Sequence, residues 1–164
     1  MSTPLTAQLD FPADPMRTYD LVTDEGYVHA VAEATGGQDI KVEVIATADG
    51  GSTVTSTRSL APRVPGYAKA LVGDKITLQE KRVYGPAAPD GTRIGTVNVS
   101  FDGLPVRVEG LLTLASSGEG STICLEAKIN ASVPFVGGKV EKFALEQVQE
   151  FLLRETQVAR DRLS

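Results

Sequence analysis

The chain has 164 residues, 41% hydrophobic and 23% charged, with a net charge of -5; this is the composition of an ordinary one-domain globular chain and excludes disordered and collagen-like classes. Residues 1–40 hold seven acids, Asp10, Asp14, Asp20, Asp24, Glu25, Glu33 and Asp39, against Arg17 alone, and no cluster of Lys and Arg interleaves with aromatics, so nucleic acid is excluded as an expected partner. A single cysteine, Cys124, rules out an internal disulfide and fits a reducing compartment. No run approaches the ~18–20 apolar residues of a membrane span, and the N-terminus lacks a basic-then-apolar leader pattern, which makes the expected location cytoplasmic.

The first strand is read over Leu5–Phe11 and is stopped by Pro12 and Pro15. Asp14 before Pro15 is a helix-start signal, with Met16, Tyr19 and Val22 as a short apolar face. A second short helix follows Asp24, with Tyr27, Val28, Val31 and Ala32 on its apolar side and Gly36-Gly37 as its stop. From residue 40 the period falls to two: Ile40, Val42, Val44 and Ala46 alternate with Lys41, Glu43, Ile45 and Thr47. The turn Ala48-Asp49-Gly50-Gly51 then makes a hairpin with Ser52–Leu60. The proline-bearing stretch Ala61–Gly73 interrupts the sheet and holds one or two helical turns. Four more strands are predicted, Lys75–Tyr84, Arg93–Phe101, Val106–Ala115 and Thr122–Ala131, joined by Gly-, Pro- and Asp-rich turns as an antiparallel meander. A helical pattern over Lys139–Arg162 ends the chain, about 35 Å long at 1.5 Å per residue. The order predicts an α+β fold in one domain, 1–164, with the long helix covering the apolar face of the sheet.

Two strands alternate imperfectly. One face of Lys75–Tyr84 reads Ile76, Leu78, Glu80, Arg82, Tyr84, and one face of Ser52–Leu60 reads Val54, Ser56, Arg58, Leu60. Either these charges face inward, paired or wetted beside a cavity, or a bulge or open rim turns Glu80 and Arg82 to solvent. Val97, Val99 and Phe101 form a clean apolar side, as do Ile123 and Leu125 against Thr122, Cys124 and Glu126. Together with Leu78, Tyr84 and the helix residues Phe143, Val148 and Phe151 they are the candidate ligand-binding wall, each equally readable as core packing.

Chemical motifs are sparse. Cys124, in the apolar run Thr-Ile-Cys-Leu-Glu, is read as a buried structural thiol. With one histidine, His29, and one cysteine, no metal site and no cofactor are expected, and no nucleophile or phosphate-loop signature is present. The acids around Asp20, Asp24 and Glu25 read as a solvated face, and His29 as a surface or structural residue. Pro134-Phe135-Val136-Gly137-Gly138 reads as a joint in which Phe135 plugs the end of the sheet.

Through Tyr27, Pro65-Gly-Tyr-Ala-Lys-Ala-Leu-Val-Gly73 and Val133-Pro-Phe-Val-Gly-Gly-Lys-Val-Glu-Lys142, the chain resembles an actinobacterial family of uncharacterised proteins, DUF2505, within the START/Bet v 1-like (SRPBCC) superfamily. The resemblance covers almost the whole chain. It implies a helix-grip fold, a curved antiparallel sheet wrapped around a long C-terminal helix with two short helices after strand 1. It also implies an internal cavity for a hydrophobic or lipid-like ligand, and transfers no catalytic residue. Binding or transport of such a molecule is the expected function. The alternatives are a cyclase- or hydrolase-like enzyme using Glu80, Arg82, Tyr84 or His29 in the same cavity, and an interaction protein whose cavity has collapsed. A hydrophobic small molecule or lipid is the expected partner, with a homodimer left open.

Overall fold

The structure, a computed structural model, describes residues 2–164. Among them, seven strands form one sheet: β1 (Thr3–Phe11), β2 (Gln38–Ala46), β3 (Ser52–Leu60), β4 (Ile76–Tyr84), β5 (Arg93–Phe101), β6 (Val106–Ser117) and β7 (Gly120–Ala131). The spatial order is β1-β7-β6-β5-β4-β3-β2, and every neighbouring pair is antiparallel. Turn-linked strands therefore lie side by side from β2 to β7, while the first strand closes the far edge against β7, with Leu5 opposite Ala127 and Leu9 opposite Ile123. Helices α1 (Pro15–Val22) and α2 (Glu25–Ala34) carry the chain from one edge of the sheet to the other, and α3 (Gly137–Leu163) covers the concave face. This is the helix-grip arrangement that the family resemblance implies, with the long helix over the sheet as the element order predicts. The strands β6 and β7 are longer than predicted, α3 begins at Gly137 rather than Lys139, and a short 3₁₀ helix (Gly66–Leu71) occupies the proline-bearing stretch.

Local chemistry accounts for the helix ends. Asp14 caps α1 by accepting from the Arg17 backbone N–H at 2.8 Å, and Asp24 caps α2 by accepting from Tyr27 N–H at 2.9 Å. At the far end of α2, Gly36 takes φ +86°, and the N–H groups of Gly36 and Gly37 donate to the carbonyls of Glu33 and Ala32. That is a Schellman cap, which a residue with a Cβ adopts only at a cost. Neighbouring backbone approaches closely at two strand glycines: a Cβ on Gly95 would collide with the Val83 carbonyl, and one on Gly110 with the Glu126 carbonyl and Ala127.

From Ile123 onward alternation is strict in β7, where Ile123, Leu125, Ala127, Ile129 and Ala131 are buried and Cys124, Glu126, Lys128 and Asn130 are exposed. Cys124 is thus not a buried thiol. The apolar local context misleads because a strand assigns faces by parity, and Cys124 shares parity with Glu126 and Lys128. The apolar face of α1 is corrected at Met16, which is 75% exposed; Val22 is buried and Tyr19 packs against the main core, and Pro15 and Thr18 also point inward. Thr18 tolerates burial because its hydroxyl accepts from Ser121 at 2.7 Å and donates to the Ala13 carbonyl at 3.3 Å. Phe135 does not plug the sheet; it is fully exposed, in the left-handed region at φ 67°.

The main core lies between the sheet, from β1 across to Val54 of β3 and Tyr84 of β4, and the helices α1, α2 and the C-terminal half of α3, around Leu9, Tyr27, Val97, Leu112, Ile123, Leu125 and Ala159. A second cluster, Leu5, Val108, Ala127 and Ile129, receives Ala144, Leu145 and Val148 of α3. The N-terminal turn of α3 is tied down by a buried acid, since Glu141 accepts from Thr3 Oγ1 at 2.8 Å and from Ala131 N–H at 3.0 Å. The helix packs chiefly on β1, β7 and α2, which leaves space between its other side and the middle strands.

Candidate functional site

Parity places Ile76, Leu78, Glu80, Arg82 and Tyr84 of β4 on the concave side, next to Val54, Ser56, Arg58 and Leu60 of β3. Arg58 is opposite Leu78 and Val54 is opposite Arg82. From above, α3 lowers Glu155 onto Arg82 in a two-pronged contact: Nη1 and Nη2 donate to Oε2 and Oε1, both at 2.8 Å. Arg82 Nε also donates to Glu80 Oε2 at 3.1 Å, and Arg58 Nη1 lies 3.7 Å from Glu80 Oε1. Two guanidiniums and two carboxylates therefore form an inward-facing, electrically neutral quartet. Glu80 and Arg82 face the interior, not solvent.

The quartet offsets most of its own desolvation, with Arg58 Nε left buried without a hydrogen-bond partner. Burial pushes the Glu80 carboxyl up, but the fields of Arg82 and Arg58 outweigh it and hold the group below its ordinary value. Burial likewise opposes the charge on Arg82, and Glu155 and Glu80 more than restore it. Tyr84, buried beside Arg82 and Glu155, is pushed up to about 12 chiefly by desolvation, and Tyr27, whose hydroxyl donates to the Glu155 carbonyl at 3.3 Å, is raised further still for the same reason. None of these four groups is poised to exchange a proton near neutrality. His29 is on the solvent side of α2, 2.9 Å from Glu33, and does not join them. Among the described residues no group of three or more His, Cys, Asp or Glu side chains converges as a metal would require, and no helix is long and apolar enough to cross a membrane.

Two spaces flank the quartet. A chamber of about 30 Å³ lies between it and Val22, Val28 and Val31, enough for one or two water molecules. Beyond Phe151, whose ring sits 5.8 Å from the Arg58 guanidinium carbon, opens a cavity of about 660 Å³. Its floor is Ile76, Phe101, Val106 and Val108 of the sheet, and its roof is Val140, Phe143, Ala144, Val148 and Phe151 of α3. The proline-bearing segment closes one side with Val64, Ala68, Leu71 and Val72; the C-terminal end of α2 contributes Ala34, Thr35 and Gly36. The charged members, Arg63, Glu150 and Arg154, are all exposed residues, so the polar groups gather at the mouth.

Residues 6–163 match the model of a family described as a protein of unknown function, DUF2505. The chain belongs to the DUF2505 family. No curated protein matches it. Among solved structures, the DUF2505 chain is similar to TTHA0849 from Thermus thermophilus, at 18% identity and a TM-score of 0.62 over 98% of this chain and 96% of that one. A START superfamily protein from Mycobacterium smegmatis matches at 12% identity and a TM-score of 0.59, over 98% and 99%. Norcoclaurine synthase from Thalictrum flavum matches at 13% identity and 0.57, over 100% and 88%. At these identities the likeness is one of fold, and the DUF2505 chain has the START/Bet v 1-like fold.

Of the residues singled out from the sequence of this DUF2505 protein, Phe101, Phe143, Val148 and Phe151 line the large cavity. Tyr84, Val97, Ile123 and Leu125 belong to the main core, Val99 packs against two core clusters, and Leu78 is buried on β4, two residues before Glu80. The cavity wall also draws on the 61–73 segment, on Val106 and Val108, and on Ile76. Glu155 is a further member of the site that sequence reasoning misses. Its signal is present all the same: it is an acid on the apolar stripe of α3, four residues after Phe151 and four before the buried Ala159.

Proposed function

We propose that this protein binds an apolar, lipid-like small molecule in the cavity between the sheet and α3. The observation that carries the reading is the chemistry of the wall: about 660 Å³, floored and roofed by Val, Ile, Leu, Ala and Phe side chains, with charge confined to the mouth. That volume is in the range of small-molecule sites, about 300–1,000 Å³. Desolvation of the guest supplies the affinity, and the absence of inward hydrogen-bonding groups along the floor disfavours sugars and nucleotides. The neutral quartet supports binding over acid/base chemistry, since its carboxylate Glu80 is held ionised and its flanking phenols are held protonated.

Titration with the apolar fluorescent probe N-phenyl-1-naphthylamine tests the reading. Wild type is expected to take up the probe with saturable enhancement, and Val148→Trp, which narrows the large cavity from the α3 side, to lower affinity at least tenfold while keeping a cooperative thermal transition. Absence of saturable uptake by wild type would overturn it.

A further inference from the structure

The two cations of the quartet are not used alike. Arg82 donates from Nε to Glu80 and from Nη1 and Nη2 to Glu155. Arg58 reaches Glu80 only at 3.7 Å, beyond hydrogen-bond distance. Among the described residues its Nε is buried without a hydrogen-bond partner, on a side chain 6% exposed. A buried donor without an acceptor is costly, and this one is held in place: a Cβ on Gly37 would lie 2.9 Å from Arg58 Cδ, and the Phe151 ring is 5.8 Å from the guanidinium carbon.

Arg58 also lines the chamber of about 30 Å³, together with Val31, Val54 and Ser56. Three elements run from that chamber into the large cavity: α2 from Val31 to Ala34, β3 from Arg58 to Leu60, and α3 from Glu155 back to Phe151. On the helices the two positions are a turn apart, and on the strand they are successive residues of one face. The two spaces are therefore consecutive parts of one cleft with Phe151 between them, the outer part apolar and the inner part tipped with a donor. The inner part has room for about two water-sized atoms, which suits one small functional group and excludes a ring or a phosphate. Charge narrows the choice further. The quartet is already neutral, so a carboxylate head would bring an uncompensated charge into the interior. An uncharged acceptor brings none.

We propose that the guest is an apolar molecule bearing an uncharged acceptor oxygen, the carbonyl of a ketone or ester, which enters the chamber and accepts from Arg58 Nε while the hydrocarbon part fills the large cavity. Arg58 is then the residue that selects among apolar guests, since a site built around a buried donor discriminates against an analogue that cannot accept from it. This rests on the binding reading above and adds the chemical class of the guest.

Competition against N-phenyl-1-naphthylamine tests it, with 2-undecanone, the isosteric alkene 2-methyl-1-undecene and decanoate as competitors. Arg58→Lys keeps the charge of the quartet and removes the Nε donor. It should lower affinity for the ketone about tenfold relative to the alkene, the worth of a hydrogen bond to a charged group. Decanoate should compete more weakly than the ketone in wild type. The infrared carbonyl band of 2-undecanone, isotope-labelled at the carbonyl carbon and bound to wild type, should fall below its position in hexane, a signature that needs no variant to fold. A carbonyl band at the hexane position, equal losses of ketone and alkene in Arg58→Lys, or decanoate competing as well as the ketone would overturn the proposal. Probe uptake by wild type without any such carbonyl effect overturns this proposal alone and leaves the cavity reading standing. Failure of wild type to take up the probe or any competitor overturns both.

Discussion

Replacing Arg82 by Met removes the central cation of the quartet and keeps the volume of its stem. Two carboxylates, Glu80 and Glu155, with side chains 20% and 6% exposed, would then share Arg58, which is 3.7 Å from Glu80. Breaking a buried pair from one side costs about 3–5 kcal/mol, because a charge is left without its partner. For a chain of this length about 4 kcal/mol corresponds to a fall of roughly 8–16 °C in Tm. The pH dependence has a definite sign. In wild type the lowered folded pKa of Glu80 gives stability that is present above the unfolded value near 4.3 and is lost as pH falls through the folded value. In Arg82→Met the strongest influence holding the Glu80 carboxyl down is gone while its burial remains, so the variant recovers part of the lost stability as pH falls from about 7 to about 5. Arg82→Met/Glu155→Leu leaves the Glu80–Arg58 pair intact and should recover more than half of the lost stability. Thermal and urea melts at the same two pH values provide the assay. A loss below about 1 kcal/mol, or a variant more destabilised at the lower pH than at the higher, would refute the assignment of a coupled buried quartet.

Other outcomes are expected from single positions. Native protein should react with a thiol reagent at Cys124 at near the rate of free cysteine, and Cys124→Ser should change stability by less than about 0.5 kcal/mol; a thiol titrated only after unfolding would contradict its outward parity. Asp24→Ala should cost about 1 kcal/mol by removing the α2 cap, with Asp24→Asn recovering most of it in urea melts. Gly36→Ala should cost about 1–2 kcal/mol in the same melts, since φ +86° penalises a Cβ, although the space around that position is open.

What is legible in the sequence is whatever depends on neighbours close along the chain. The parity of β7, the 3.6-residue stripe of α3 and the caps at Asp14 and Asp24 all follow from local spacing, and they are enough to lay out the fold. The site is a matter of distant partners. Glu80 and Arg82 can be assigned to either side of β4 from sequence because the residue that settles the matter, Glu155, is 73 positions away from Arg82 on a different element. The burial of Thr18 is hidden for the same reason, its partner Ser121 being 103 residues distant. The cavity wall is half readable: Phe143, Val148 and Phe151 carry helical periodicity, whereas Val64, Leu71 and Val72 lie in a segment whose prolines erase any period. Phe135 shows that hydrophobicity alone does not direct a ring inward when the backbone turns it out.

Native mass spectrometry of protein isolated without denaturation, with solvent extraction of the same material, tests most directly whether the space between sheet and α3 is a binding chamber. The account predicts a recurrent mass above that of the bare chain, released on unfolding and recovered in the organic extract as an apolar species, and absent from Val148→Trp. A bare-chain mass in every preparation, together with no uptake of added fatty acid or apolar probe, would contradict it.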